Sequence, residues 1–172
     1  MHTPLLLSIL GPDRPGIVED VASLIRELDG NWLESRLTRL AGQFAGIVQF
    51  SIPSEREVAF RERLPDFESE AGLQCLLGRG EMGDEPAGRC FTLECVGQDR
   101  PGIVHAITDV LAGFGVNVES FGSECSSAPM SGETLFHATL KVRVPERLDL
   151  AGLEQRLGEI GDELMLDVSF EE

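Results

Sequence analysis

One short charged phrase occurs twice in this chain, near the start of each half. Residues 11–18 read GPDRPGIV and residues 97–104 read GQDRPGIV, so seven of eight positions agree at a spacing of 86. An asparagine follows each copy at that same spacing, Asn31 in the first half and Asn117 in the second. Backbone N–H groups at a helix start bind carboxylates, glycine lets a ligand approach the backbone, and a side-chain amide both donates and accepts hydrogen bonds. These residue types therefore predict a site for a small zwitterion, such as an amino acid, in each half.

The phrase also suits a purely structural turn. Proline followed by glycine favours a tight turn, Asp13 and Asp99 can hydrogen-bond the loop itself, and Arg14 and Arg100 can stay solvated. A duplicated fold repeats its turns as well as its sites. Repetition alone therefore leaves both interpretations open.

The elements around the phrase repeat in the same order. Alternating apolar residues before each copy predict a strand, and apolar residues at helical spacing after it predict a helix. Pro15 and Pro101 suit the first helical position, where the missing N–H costs nothing. The remaining elements are strand, strand, helix and strand, over 32–40, 43–52, 54–64 and 73–77 in the first half and over 117–125, 134–144, 148–160 and 164–170 in the second. Right-handed crossovers then place both helices on one face of a four-stranded antiparallel sheet, so the predicted fold class is α+β, with two ferredoxin-like (βαββαβ) domains in tandem.

Three local features refine this domain plan. The second helix of the first half is predicted to break at Pro65, because proline lacks the N–H that a helix interior needs. The glycines of 78–83 match a dinucleotide-binding pattern, but an acidic stretch with a proline follows in place of a helix, which predicts a linker. The second half gains about six residues within 123–133 relative to the first. The predicted organisation is two domains and a linker, at 1–80, 89–172 and 81–88.

Composition narrows the function classes. The chain has 14 Lys and Arg against 30 Asp and Glu, a formal net charge of −16. Such a surface repels phosphate backbones, so we expect no direct nucleic-acid binding, while a basic protein partner or a zwitterion remains compatible. The apolar run near the N-terminus is too short to span a bilayer and lacks the basic residues of a signal peptide. The short run therefore predicts no membrane partner. Four cysteines without a CxxC pair indicate a reduced, cytoplasmic chain.

Candidates for catalysis or metal binding are poor. The three histidines, His2, His105 and His137, are scattered without the spacing of a metal site, and His137 is expected to face away from the core. Cys95 alternates with apolar strand residues and is expected in the core, whereas Cys125 is the one thiol expected to be exposed. The abundant carboxylates lack an apolar setting that would separate their pKa values. We therefore expect no metal, no cofactor and no enzymatic activity.

The sequence pattern also resembles a known family. A strand, the DRPGIV phrase, a helix, an asparagine after glycine or valine, and a second strand are similar to the ACT domain, a small βαββαβ regulatory module that commonly binds amino acids. Two such modules, with NWLESRLTRLAGQFAGIVQFSIP at 31–53, resemble the glycine cleavage system transcriptional repressor family over essentially the whole chain. This resemblance implies a protein that does not bind DNA and instead acts on a DNA-binding activator in response to glycine. It also implies the following ligand-binding residues: Asp13, Arg14, Pro15, Gly16, Ile17, Asn31, Asp99, Arg100, Pro101, Gly102, Ile103 and Asn117.

Three functions compete on this basis. The leading hypothesis is a non-enzymatic repressor that senses a small amino acid, glycine, and contacts a transcriptional activator. The alternative keeps the ACT sensor but directs it at an enzyme or at nitrogen or one-carbon metabolism. ACT modules are also fused to enzymes such as formyltetrahydrofolate deformylases, but two modules leave no residues here for a catalytic domain. Unpaired edge strands predict association of the two domains and a homodimer. The insert at 123–133 can cover the second site, which makes the first the stronger candidate.

Overall fold

The chain forms two compact units, Met1–Asp84 and Glu85–Glu172. The computed structural model describes three stretches of it, residues 1–80, 87–127 and 133–172. Most of the predicted linker at 81–88, and part of the predicted insert at 123–133, therefore lie outside the described residues.

The first unit is a four-stranded sheet with two helices packed on one face. Its strands lie in the spatial order β2-β3-β1-β4, and each neighbouring pair is antiparallel. Its elements in chain order are β1 (His2–Pro12), α1 (Ile17–Glu27), β2 (Asn31–Leu40), β3 (Gln43–Pro53), a 3₁₀ turn (Ser54–Arg56), α2 (Glu57–Ala71) and β4 (Gln74–Arg79).

The second unit repeats this architecture, with the strand order β6-β7-β5-β8. Its elements are β5 (Arg89–Gln98), α3 (Ile103–Gly113), β6 (Asn117–Ser127), β7 (Thr134–Val144), α4 (Leu150–Leu164) and β8 (Leu166–Glu171). The α+β class and the tandem ferredoxin-like arrangement are thereby confirmed. No helix within the described stretches is long and apolar enough to cross a membrane.

Each unit has its own apolar core, in which strand and helix patterns meet. The first unit draws alternate residues from β1 and residues three or four apart from α1, namely Leu5, Leu7, Ile9, Ile17, Val21, Leu24 and Ile25. The second unit does the same with Phe91, Leu93, Cys95, Ile103, Ile107, Val110 and Leu111. Alternation places every second strand residue against the helices, so the sheet buries one face and leaves the other open. Cys95 is completely buried, as predicted.

The second helix of the first unit differs from its prediction. The 3₁₀ turn takes residues 54–56, and α2 then runs through Pro65 instead of breaking there. A proline in a helix interior costs about 3 kcal/mol. Phe67 and Ala71, which follow the proline, are buried in the core, and burial of one phenylalanine alone returns about 1.5–3 kcal/mol. The helix continues because the core gains more from the residues beyond the proline than local propensity suggests.

Both sheets carry exposed side chains on the face away from their helices. The first sheet exposes Leu10, Ile47 and Leu76 on the side away from its helices. The second sheet presents His137 on the corresponding side, with Nδ1 3.9 Å from Oε1 of Glu124. His137 thus faces away from the core, as its alternation with core residues predicts.

One edge strand of each sheet, β2 in the first unit and β6 in the second, contains a β-bulge. The pairing of β2 with β3 shifts between Trp32 and Glu34, and the pairing of β6 with β7 shifts between Val118 and Ser120. A bulge leaves one residue unpaired and bends the strand. The duplication therefore extends to an irregularity that no apolar pattern predicts.

Candidate functional site

The repeated phrase connects the first strand of each unit to its first helix, and its first glycine is required by packing. A Cβ on Gly11 would stand 2.8 Å from the carbonyl oxygen of Gly72, and one on Gly97 would stand 2.5 Å from that of Met165. In both units this carbonyl lies where the chain leaves the second helix. Glycine allows that close approach of two backbones, so its repetition needs no ligand.

The second glycine of the phrase caps the helix. Gly16 has φ 91° and Gly102 has φ 98°, and each is the N-cap residue in a left-handed conformation. Other residues reach that conformation at a cost of about 1–2 kcal/mol. The helices begin one residue later, so the prediction that Pro15 and Pro101 occupy the first helical position is wrong. The backbone conformation of the glycine sets the residue at which each helix begins. The spacing of apolar residues does not reveal that conformation.

The isoleucines of the phrase belong to the two cores. Ile17 and Ile103 are each 2% exposed. Their side chains pack in the core and fix the start of each helix, so a ligand at this loop would meet only their backbone groups.

Asp13 is committed to two partners within the first unit. Its backbone N–H donates to the carbonyl oxygen of Gly42 at 2.9 Å. Its carboxylate pairs with the guanidinium of Arg39 in the edge strand β2, with Nε and Oδ2 2.6 Å apart. The negative charge of this copy of the phrase is therefore already neutralised inside the unit.

Arg14 ties the loop to both helices. Its Nη2 lies 2.6 Å from Oδ2 of Asp20 in α1, and its Nη2 and Nε donate to the carbonyl oxygen of Ala71 at 2.8 Å and 3.3 Å. The last carbonyls of a helix have no partner within the helix, so this guanidinium caps the end of α2. Arg14 is a structural residue of the first unit, held by these partners although its side chain is 39% exposed.

Replacing Arg14 by alanine is expected to lower the free energy of unfolding of the first unit by about 1–2 kcal/mol. The change removes hydrogen bonds to a helix end, which contribute most of this loss, and one partly exposed ion pair, which contributes little. Trp32 is the chain's one tryptophan and packs against the first core, so its fluorescence during urea unfolding reports on this unit. Arg26→Ala, an exposed arginine in α1, the helix that follows the loop, is the control and should change stability by less than about 0.5 kcal/mol. Equal midpoints for both variants would show that the Arg14 contacts contribute nothing.

The second unit lacks the corresponding ion pairs. The side chain of Asp99 lies beside the thiol of Cys125, whose pKa is raised by desolvation and then by the negative charge of Asp99. The guanidinium of Arg100 reaches Oε1 of Gln98 at 3.4 Å and Sδ of Met165 at 3.6 Å, both uncharged. Within residues 87–127 and 133–172, neither Asp99 nor Arg100 has a partner of opposite charge at ion-pair distance.

Two differences between the halves account for this contrast. Arg39 aligns with Cys125, and Asp20 aligns with Ala106, both at the spacing of 86. Inspection of the phrase alone misses these partners, because they lie outside it. Position-by-position comparison of the two halves beyond the phrase is the signal that would reveal them.

The two asparagines begin the edge strands, as predicted, but lie far from the loop of their own unit. Asn31 is in register with Ser51, which faces Pro4 near the start of β1, whereas the loop follows the end of β1 at Pro12. Eight residues of strand at 3.3 Å each separate them by about 26 Å. Asn117 has the same position in the second unit. One small ligand cannot touch the loop and the asparagine of a single unit, so the prediction that they form one site within each half is wrong.

A groove runs between the two helices of each unit. It has a volume of about 350 Å³ in the first unit, where Arg63 at its rim pairs with Glu70 at 2.7 Å. It has a volume of about 390 Å³ in the second, where Arg156 pairs with Glu159 at 2.8 Å. In both grooves the arginine of the second helix is already neutralised by a carboxylate of its own helix.

The described residues contain no group of three or more His, Cys, Asp or Glu side chains placed to hold a metal ion. Burial raises the pKa of the Cys95 thiol to about 11. Cys125 is exposed, but so is Cys90 near the start of β5. The prediction that Cys125 is the one exposed thiol is therefore wrong, because an outward-facing strand position exposes Cys90 as well.

The architecture and the repeated strand–loop–helix junction define a family. The ACT domain family matches residues 3–76 and 90–171, and each matched segment runs from the first strand of a unit into its last. The chain belongs to the ACT domain family, with two copies of the domain in tandem.

Two solved structures match the chain over nearly its full length. An unknown protein from Galdieria sulphuraria is 30% identical, with a TM-score of 0.87 over 99% of this chain and 98% of that one. A protein provisionally named a glycine cleavage system transcriptional repressor is 20% identical, with a TM-score of 0.73 over 99% of this chain and 97% of that one. The second likeness is one of fold. No curated protein sequence matches the chain.

Proposed function

We propose that this chain is a non-enzymatic regulatory protein that senses a small amino acid, with glycine the first candidate. In this proposal it represses glycine cleavage genes through contact with a DNA-binding activator in the cytoplasm, as a homodimer. The observation that carries the proposal is the tandem arrangement. Two ACT domains account for residues 3–76 and 90–171, and the same fold fills 97% of the protein provisionally named a glycine cleavage repressor.

The charge of the chain supports protein contact over direct DNA contact. The net charge of −16 opposes approach to phosphate backbones and favours a basic protein surface, at rates that fall as salt rises. An effector can shift such a contact only by binding its two states with different affinity. Glycine must therefore bind the chain more tightly with the activator present than without it, or the reverse.

The test reconstitutes the three components on a glycine cleavage promoter. Fluorescently labelled promoter DNA is titrated with its DNA-binding activator, with and without this chain, at several glycine concentrations. We expect no change in anisotropy from the chain alone, and a glycine-dependent shift in the activator's titration curve when the chain is present. Binding of the chain to DNA by itself would contradict the proposal. Glycine binding without any effect on the activator would indicate that the protein senses glycine but acts on another target.

A further inference from the structure

We propose that the first unit of this chain pairs with the first unit of a second copy, sheet face against sheet face. The contact surface is the side of the first sheet that its helices leave open, called here the neutral face. This inference deepens the proposed function, which includes a homodimer without saying where its two copies meet. The charges of the molecule and the area of the face both favour a second copy as the occupant.

The neutral face consists of three rows of side chains that cross the four strands. Alternate residues of β1 point into the core, so the residues between them, Leu6, Ser8 and Leu10, point to the other side of the sheet. Strand register completes each row with one residue from each of the other three strands. In the order β2, β3, β1 and β4, the rows are Glu34, Gln49, Leu6 and Gly78, then Arg36, Ile47, Ser8 and Leu76, then Thr38, Ala45, Leu10 and Gln74.

This face is rich in apolar side chains and carries no net charge. Glu34 and Arg36 are the two charged residues of the rows, and they pair with each other at 2.8 Å. Leu76, Leu10 and Ile47 are 73%, 44% and 43% exposed. A dent of about 200 Å³ lies beside Ile47 and the Glu34–Arg36 pair. A contiguous exposed patch of apolar side chains marks a contact surface.

The corresponding face of the second unit is acidic. The same three rows there carry four carboxylates against one lysine and one histidine. The carboxylates belong to Glu94, Glu124, Asp167 and Glu171, and the lysine is Lys141. Two such faces would repel each other and would bury charges without partners. Of these two faces, the first is therefore the one that suits contact with its own copy.

The charge of the rest of the molecule favours a second copy over another partner. Two chains of net charge −16 repel each other, and α1 and α2 together hold eight acidic against three basic side chains. These helices lie on the opposite side of the sheet from the neutral face. Stacking two neutral faces puts the acidic helices on the outside, where they are farthest apart. A basic partner would instead be attracted to the helices.

The area of the neutral face is sufficient for a dimer. Each position covers about 32 Å², from a strand spacing of about 4.8 Å and about 6.6 Å between residues on one side. The three rows, extended by Pro4, Leu40, Gln43 and Ser51 at their ends, give about 500 Å² per copy. A pair then buries about 1,000 Å², the lower bound for a specific interface. A twofold contact presents the same patch on both sides, so each copy offers the dent and an exposed Leu76 to fill it.

The test measures the mass of the intact chain by sedimentation equilibrium at several protein concentrations and salt levels. We expect a monomer–dimer equilibrium with a Kd in the micromolar range, because the area is at the lower bound. Rising salt should strengthen the dimer, since it screens the repulsion between two acidic chains. Contact with a basic activator should weaken with salt, so the two associations are distinguishable. A chain that stays monomeric at every concentration would overturn this inference and the homodimer, and would leave glycine sensing standing.

Two substitutions place a charge within the neutral face. Ile47→Glu acts on the inner strand β3, which a partner added at either edge of the sheet would not touch. The new carboxylate faces Arg36 across the strands, and such a pair is compatible with the sheet. Leu76→Glu acts on β4, at a side chain that is already mostly exposed. Each variant is expected to raise the Kd of the dimer at least about tenfold, because two copies of the charge enter one interface.

Val58→Glu is the matched control, because it adds the same charge on α2 at a side chain 65% exposed. It should leave the Kd within about twofold of the parent chain. Urea unfolding followed by Trp32 fluorescence establishes that each variant is folded. Equal Kd values for Ile47→Glu and Val58→Glu would overturn the face-to-face contact. Dissociation by Leu76→Glu with no effect of Ile47→Glu would place the contact at the edge of β4 and overturn it as well.

Discussion

Phe60→Ala is expected to lower the free energy of unfolding of the first unit by about 3–5 kcal/mol, the largest effect of any single truncation proposed for this chain. Phe60 is completely buried at the centre of the first core. Its ring packs on that of Phe50, with centroids 5.0 Å apart and planes inclined by 33°. Alanine would leave a cavity between α2 and the sheet and remove this aromatic contact.

Trp32 provides the readout of this effect. Urea unfolding followed by its fluorescence should show an earlier transition, and amide exchange should show the loss of protection in β1, β3 and α2. Val58→Ala, on the same helix and 65% exposed, is the control and should change stability by less than about 0.5 kcal/mol. Similar midpoints for Phe60→Ala and Val58→Ala would contradict the assignment of Phe60 to the core.

Gly46→Ala is expected to lower stability by about 2–4 kcal/mol, although only one methyl group is added. Gly46 has φ 156° in β3, and a Cβ there would clash with the carbonyl oxygen of Arg36 and lie 2.8 Å from Cα of Leu37. Both belong to the backbone of the edge strand β2, so neither can rotate away. The added methyl group must push β2 off the sheet or strain β3, and overpacking of this kind is destabilising.

The matched control separates conformational strain from collision. Gly42 also has a positive φ, 77°, but nothing lies within 4 Å of its would-be Cβ. Gly42→Ala is therefore expected to lose about 1 kcal/mol from backbone strain alone. Urea midpoints read from Trp32 should rank the parent chain, Gly42→Ala and Gly46→Ala in that order. A Gly46→Ala variant as stable as Gly42→Ala would show that β2 moves aside without loss of stability, and would contradict the predicted effect of the clash.

The case of Gly46 shows where sequence reasoning ends. Strand alternation and helical spacing predict the order of elements, the buried faces and the duplication, because these depend on which residues are apolar. Once the six residues gained within 123–133 are allowed for, Gly46 aligns with Ala138 at a spacing of 92, which suggests that alanine fits at both positions. The collision arises from the course of β2 past β3, which composition and periodicity do not describe. Pro65 is the opposite case. Proline disfavours a helix interior, but burial of Phe67 and Ala71 beyond it keeps α2 continuous.

The candidate site was predictable in its residue types but not in its assembly. The DRPGIV phrase correctly marks a strand–helix junction in both units. Whether its charges are free depends on Asp20 and Arg39, which are brought to the loop by α1 and by the end of β2. The prediction that each asparagine joins the loop of its own unit is wrong for a related reason. Strand register places Asn31 about 26 Å from the loop that precedes it in sequence. Distances of this kind can be derived only when the pairing of the strands is known.

The bulges in β2 and β6 change what these two edges offer to an incoming strand. An edge strand offers a row of unpaired N–H and C=O groups to any extended chain that meets it, which is how fibres start. The shift after Trp32 interrupts that row, so an incoming strand finds regular geometry only along Glu34–Leu40. Duplication doubled the number of such edges. Because both copies carry the bulge at the same place, an extended partner pairing with β2 or β6 would meet the same break in the hydrogen-bonding row near the start of the strand.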